Sequence, residues 1–241
     1  MAYGIFADFY DFFNEDADYD LLSEQVLAAL REHGVSDGIV IDLGCGTGEL
    51  TLRLAQAGYD MIGVDASEEM LSVLQEKEFE LGMSGVLLLH QELQTLDLYG
   101  TVRAAVSTFD TFNHIGPVDE FERALCRASL FLEPGGVFVF DMNTPYKHRC
   151  ILADNTFTLD ADDAVCVWKN HTTEEGTRIS IEITSDGETA DEGFFEYSYT
   201  QEQIEQACRA AHLRIERVCD GETFGELNPE SHRFFFVCIK E

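Results

Sequence analysis

Basic side chains are scarce in this chain: 15 Lys and Arg stand against 46 Asp and Glu, a net charge of −31 at neutral pH. A surface of that sign repels an extended phosphate backbone, so nucleic acid is excluded as a substrate class. The acidity then reads as a solvated surface, with a weak pull on cationic ligands as its one functional consequence. No apolar run approaches the roughly 20 residues needed to span a bilayer. Met1 to Asp8 lacks a basic segment followed by an apolar one, so neither a membrane anchor nor a secretory signal is expected. The seven cysteines, at positions 45, 126, 150, 166, 208, 219 and 238, have no paired metal-ligand spacing and an odd total. That usage suits a reduced cytoplasm and a protein without a bound metal. Repeats and low-complexity tracts are missing too, and 241 residues suffice for one large α/β domain with a subdomain.

What the chain has is glycine concentrated in one place. Ile41-Asp42-Leu43-Gly44-Cys45-Gly46-Thr47-Gly48-Glu49 sets an acidic residue and three glycines directly after the apolar strand Gly38-Ile39-Val40-Ile41. The helical pattern Leu50, Leu52, Leu54, Ala55 follows at once. Such a strand-to-helix turn lets a ligand approach bare backbone and offers amide donors to an anionic group. The spacing is not that of a dinucleotide fingerprint, because Glu49 stands where the third glycine of G-x-G-x-x-G belongs. One strand later, Met61-Ile62-Gly63-Val64 ends in Asp65, with Ser67 as a helix N-cap. A carboxylate at that place is suited to both hydroxyls of a ribose.

In these residues the sequence resembles the class I S-adenosylmethionine-dependent methyltransferases, whose E/D-x-G-x-G-x-G motif matches Asp42 to Gly48 and whose ribose acid matches Asp65. Gln91-Glu92-Leu93 follows the third strand where the family holds adenine, with Glu92 in place of the usual Asp. Ser107, Asp110, Asn113 and His114 match S-x-x-D-x-x-N-[HY] after strand four, Leu132 to Asp141 resembles the turn into strand five, and Arg233-Phe234-Phe235-Phe236-Val237 approximates a terminal R-x-x-F-V strand. The resemblance covers nearly the whole chain and is closest to small-molecule and uncharacterised bacterial members. Deoxysugar amine N-methyltransferases share the general layout, but nothing in the sequence identifies a sugar.

The resemblance implies S-adenosylmethionine as cofactor. Asp42 then receives the methionine ammonium, and the amides of Gly44, Cys45 and Gly46 its carboxylate. Asp65, beside Ala66, takes the ribose. Met70 and Leu93 sandwich the adenine, which Gln91 and Glu92 flank, Glu92 reading its amino group. Ser107 and Phe109 close the crevice, and Tyr10 belongs to an aromatic N-terminal cover. Cys45 is read as a small side chain in a tight turn, since direct methyl transfer needs no nucleophile.

The strands and helices alternate up to Asp141, which predicts a doubly wound, mostly parallel sheet. Beyond it, Ala164 to His171, Ile179-Ile181-Ile183 and Phe195-Tyr197-Tyr199 have the period of antiparallel strands, an inserted small β subdomain. The expected division is a helical lid at 1–36, a cofactor core at 37–150, the insert at 151–200, and a helix with strands at 201–241 that complete the sheet. Asp110, Asn113 and His114 are the candidate catalytic residues, with Tyr3, Tyr10, Tyr146 and His148 on the acceptor side. Asp110 or His114 is placed to take a proton, whereas Asp110 and Asn113 equally suit capping of the next turn. Trp168 and His171 are expected to pack rather than react. The expected acceptor is a small molecule, an amine being compatible with the acidity, and the protein a monomer or a homodimer through the inserted sheet. A catalytically silent cofactor binder, a protein methyltransferase and an NAD-dependent oxidoreductase are the alternatives.

Overall fold

Ile39-Val40-Ile41-Asp42-Leu43 has no polar face and forms β1 (Ile39–Leu43), a strand buried over its last four residues because the sheet is covered on both sides. The computed structural model describes residues 6–161, 164–185 and 188–241. Tyr3 of the expected lid lies outside them, as do the side chains of Phe6, Phe9 and Phe13. The chain opens with α1 (Phe6–Phe13) and α2 (Tyr19–Glu32). It then alternates β1, α3 (Glu49–Gln56), β2 (Asp60–Asp65), α4 (Glu68–Glu80), β3 (Leu87–His90), β4 (Val102–Ser107), α5 (Val118–Leu130) and β5 (Leu132–Asn143). After an inserted sheet, α6 (Gln201–Ala210), β10 (Leu213–Asp220) and β11 (Arg233–Lys240) return to the first.

The main sheet runs β10-β11-β5-β4-β1-β2-β3, with β11 antiparallel to β5 and to β10 and the rest parallel. The order therefore reverses between β1 and β4, and a crevice opens beyond their carboxyl ends, where open α/β sheets bind ligands. Two apolar layers flank the sheet. Phe121, Ala124, Leu125 and Ala128 of α5, at helical spacing, pack on one face with Ile204, Ala207 and Cys208 of α6. Leu22, Val26 and Leu30 of α2 cover the other face with Leu50 and Leu54 of α3. The helix starts are capped as their residues imply: Ser67 Oγ accepts from the Met70 amide at 3.2 Å, and Thr200 with Gln203 forms a capping box.

The second sheet is antiparallel, in the order β6 (Thr156–Ala161), β7 (Ala164–Thr172), β8 (Gly176–Ser185) and β9 (Glu188–Tyr197). Ile179, Ile181 and Ile183 are buried as their alternation predicts, and pack with Cys166, Ala7 of α1 and Met70 of α4. The insert thus closes against the helices that flank the crevice. One strand has no counterpart in the sequence reading and one expectation needs correction. Strand β6, with Phe157, Leu159 and Ala161 as its apolar positions, is too weakly patterned to stand out. Tyr199 lies beyond β9: it is buried, donates to the Gly116 carbonyl and packs on Phe121 at 4.8 Å. Among the described residues no helix is long and apolar enough to cross a membrane.

Candidate active site

The turn after β1 is left-handed at Gly44, Gly46 and Gly48, with φ of 73°, 52° and 87°. Two of these also lack room: a Cβ would fall 2.3 Å from Thr111 Cγ2 at Gly44 and 2.3 Å from Leu74 Cγ at Gly48. Asp65, at the end of β2, fastens the turn. Its Oδ2 accepts the Gly46 amide at 2.9 Å and its Oδ1 the Ser67 amide at 2.9 Å. Cys45 is buried beneath, and burial pushes its thiol well above its ordinary value, which leaves it no nucleophilic thiolate. Glu49, where a dinucleotide site has glycine, accepts from Lys77 at 2.7 Å; Lys77 also reaches Asp11 of α1 at 2.5 Å. Thr47 donates to the same Asp11 at 2.6 Å, so α1 is tied over the turn.

Above the turn lies a cavity of about 500 Å³. Asp42, Gly44, Cys45, Gly46, Asp65 and Ala66 line its floor. Met70 and Leu93 supply apolar walls, and Gln91 and the exposed Glu92 stand at its rim. The Gln91 amide is already engaged with the Asp97 backbone, donating at 3.2 Å and accepting at 2.9 Å. Ser107 is not part of the lining. Its buried hydroxyl donates to the Leu43 carbonyl at 2.7 Å and ties β4 to β1, which replaces the expected contact with a ligand. Gln94, which carries no motif signal in the sequence, also lines the cavity, and its side-chain oxygen is buried without a hydrogen-bond partner.

The other end of the cavity is built around a strained corner. Phe109 and Asp110 are consecutive non-glycine residues at φ 55°, a conformation costing about 1–3 kcal/mol each. Asp141 on β5 holds the corner, accepting the Phe109 amide at 3.0 Å and the Asp110 amide at 2.8 Å. Arg233 at the start of β11 then forks between two acids, donating to Asp141 at 2.7 Å and to Asp110 at 2.8 Å. Its guanidinium also lies 5.5 Å from the Phe109 ring centroid, and Tyr19 stacks on that ring at 4.8 Å. Burial works against the Asp110 carboxylate, but Arg233 overrides it and holds the group well below its ordinary range.

His114 lies 3.7 Å from Asp110, and one ligand atom each of Asp110, His114 and Glu196 falls within 4.8 Å of the others. Burial disfavours the imidazolium, yet the carboxylates of Asp110 and Glu196 more than offset it, so His114 titrates above its ordinary value. Glu196, from β9, is buried and accepts from Asn143 Nδ2 at 3.0 Å; burial and Asp110 raise its pKa. Tyr10 lines the same end of the cavity, with Trp168 and Phe194 of the insert as its apolar wall.

Asn113 does not join this group. It is fully buried, donates to the Tyr197 carbonyl at 2.7 Å and accepts the Asn143 amide at 2.9 Å, so it joins β9 to β5 and has the structural role rather than the catalytic one. Tyr146 stacks on His232 at 5.9 Å, and His148 bonds Thr177 at 3.0 Å; neither lines the cavity. His171 is exposed and pairs with Asp154 at 3.0 Å. Sequence reasoning had Arg233 only as a strand marker and missed Tyr19, Lys147 and Glu196. The signals were an arginine opening an apolar strand and an acid among the aromatics of Phe194-Phe195-Glu196-Tyr197; Lys147 offered none.

A mostly parallel seven-stranded sheet with a crevice at its switch point, a glycine turn and a following acid define a nucleotide-binding α/β methyltransferase fold. Residues 40–136 match the family model described as a methyltransferase domain. YqeM of Bacillus subtilis strain 168, a protein named for methyl transfer, is 28% identical over all of this chain and 98% of its own. A dTDP-3-amino-3,6-dideoxy-α-D-glucopyranose N,N-dimethyltransferase of Streptomyces fradiae is 24% identical over 88% of this chain and 85% of its own. The solved structure of an S-adenosylmethionine-dependent methyltransferase from Clostridium acetobutylicum covers 99% of this chain and 98% of that one, with a TM-score of 0.89 and 28% identity. Over its whole length the chain is therefore similar to S-adenosylmethionine-dependent methyltransferases, and residues 40–136 match a methyltransferase domain.

The residues present fit that cofactor. Asp42 is a buried carboxylate with a single side-chain donor among the described residues, the Thr51 hydroxyl at 2.6 Å, and it faces the cavity. Burial pushes its pKa from 3.8 up to about 7, as for an acid short of a cation. In the free protein the folded state therefore holds this proton more tightly than the unfolded chain, and its share of stability falls as pH rises from about 4 toward 7. A ligand ammonium reverses the balance. Cofactor binding just below pH 7 is expected to release a proton, so the calorimetric enthalpy of S-adenosylhomocysteine binding varies with the ionisation enthalpy of the buffer. Asp42→Asn abolishes that variation; a buffer-independent enthalpy for the unaltered protein contradicts the assignment.

Proposed function

We propose that the protein transfers the methyl group of S-adenosylmethionine to the nitrogen of a small-molecule amine. The observation that carries this reading is the cluster of Asp110, His114 and Glu196 in the wall of the cavity that Asp42, Asp65 and Met70 also line. Two carboxylates and an imidazole with an elevated pKa receive an ammonium and then remove a proton from it. When bound, the cofactor supplies a methyl carbon on a sulfonium, which an in-line attack displaces. Asp65 would hold its ribose, Met70 and Leu93 its adenine, and Asp42 its methionine ammonium. His114 takes a proton from the incoming ammonium, leaving the nitrogen lone pair free. That pair forms the new N–C bond as the C–S bond breaks toward sulfur. Asp110 and Glu196 stabilise the imidazolium that results. The walls Trp168, Phe194 and Tyr10 exclude water and hold the acceptor close, which is most of what this displacement requires.

The N,N-dimethyltransferase relative, named for an amino sugar, supports nitrogen as the acceptor atom and a small molecule as its bearer. The test is a panel of matched primary amines and alcohols assayed for S-adenosylhomocysteine release. Turnover confined to the amines is expected; turnover of the alcohols at equal rate refutes the nitrogen assignment.

A further inference from the structure

The cavity contains a cation that the chemistry above does not use. Lys147 opens the π-helical turn Lys147–Leu152, four positions beyond the last residue of β5, is half-buried, and lines the cavity together with Leu152 and Trp168. Its Nζ donates to Asn143 Oδ1 at 2.9 Å, and no carboxylate oxygen lies within 4.0 Å of it among the described residues. Arg233, the other cation in the cavity wall, is committed to Asp110 and Asp141. An ammonium has three donors, and here one is spent on a neutral amide. The same amide donates from Nδ2 to Glu196 at 3.0 Å, while the Asn143 backbone is held by Asn113. Asn143 therefore fixes a carboxylate and an ammonium on its two ends, side by side and facing one space. Burial and Arg233 lower the Lys147 pKa against the upward pull of Asp110, Glu196 and Asp141, none of which bonds its ammonium directly.

We infer that Lys147 receives an oxyanion, a carboxylate or a phosphate, carried by the same acceptor whose amine meets Glu196 and His114. The acceptor is thus zwitterionic, which deepens the reading above and rests on it. Such a molecule also answers the charge of the chain: at −31 a simple anion is repelled, whereas a zwitterion is not. Its amine turns toward the acidic cluster and its oxyanion toward the π-helical turn, so Lys147 orients the nitrogen.

Two readouts test this separately from the amine reading. Protein saturated with S-adenosylhomocysteine is titrated with inorganic phosphate and with acetate. Binding on the order of 1 mM is expected, weakened at least tenfold in Lys147→Met and retained in Lys147→Arg. Stronger binding of one anion tells phosphate from carboxylate. Absence of binding, or equal binding by Lys147→Met, overturns the inference whether or not any amine is methylated. The second readout is the ratio of kcat/KM for β-alanine or phosphoethanolamine to that for butylamine, expected to fall at least tenfold in Lys147→Met while S-adenosylhomocysteine affinity stays within twofold. An equal loss on all three amines assigns Lys147 a structural role and rejects the inference. If no amine is methylated, the amine reading fails alone, and the anion titration still decides on Lys147.

Discussion

Replacing Arg233 by Met is expected to lower the midpoint of thermal unfolding by roughly 10 °C and to abolish turnover. The guanidinium neutralises two acids of which Asp141 is almost wholly buried and Asp110 nearly so, their side chains 3% and 15% exposed. Removing one partner of such a network strands the other charges, at a cost of about 3–5 kcal/mol. In a chain of this size each kcal/mol shifts the midpoint by about 2–4 °C. The damage reaches the chemistry because Asp141 also holds the left-handed corner at Phe109 and Asp110. With its counter-ion gone, Asp141 no longer over-determines that strained backbone, and Asp110 loses its position beside His114. Arg233→Lys keeps the charge but not the fork, and is expected to fall between. The pH sense follows from Asp110: its folded pKa lies below the unfolded value of about 3.9, so its stabilisation is complete above that pH and fades as pH falls below it. An Arg233→Met protein melting within about 2 °C of the unaltered one contradicts this account of the corner.

The second large effect is expected at His114. His114→Gln keeps a polar side chain of similar reach but cannot take the proton, and kcat is expected to fall by about 10²–10³. S-adenosylhomocysteine affinity is expected to persist, since the ribose, adenine and ammonium contacts proposed above are assigned to other residues. In the unaltered enzyme, activity is expected to rise with pH as the imidazolium loses its proton, with a midpoint above the ordinary 6.5 because the acids around it raise its pKa. The rise comes on the alkaline side of that midpoint, and in His114→Gln this inflection disappears. A Gln variant with the same profile and rate would falsify the proton-acceptor role.

The two halves of the cavity differ in how far the sequence reveals them, for a physical reason. The glycine turn, Asp65 and Ser67 are local: each is required by the backbone within a few residues, and the Gly46 to Asp65 bond spans one β-α unit. The fold was legible on the same terms, since the periodicity of β1 to β5 and of α5 records burial directly. The acceptor end is assembled from remote pieces. Arg233 meets Asp110 across 123 residues and Asn143 meets Glu196 across 53, so no window contains the information. Residues judged by motif there divided accordingly. Asp110 and His114 line the cavity, whereas Asn113 and Ser107 share the motif and serve the framework. What separates them is which face of a short turn meets the sheet, and that is set by tertiary packing rather than by spacing.

The most direct test of the central claim is to supply S-adenosylmethionine carrying a carbon-13 methyl group, with the matched amines, and to follow the labelled carbon by NMR. The account predicts that it moves from the sulfonium to a position with the chemical shift of an N-methyl group, with one S-adenosylhomocysteine formed for each transfer. Label found on oxygen, on carbon or on the protein itself, or a sulfonium signal that never decays, contradicts it.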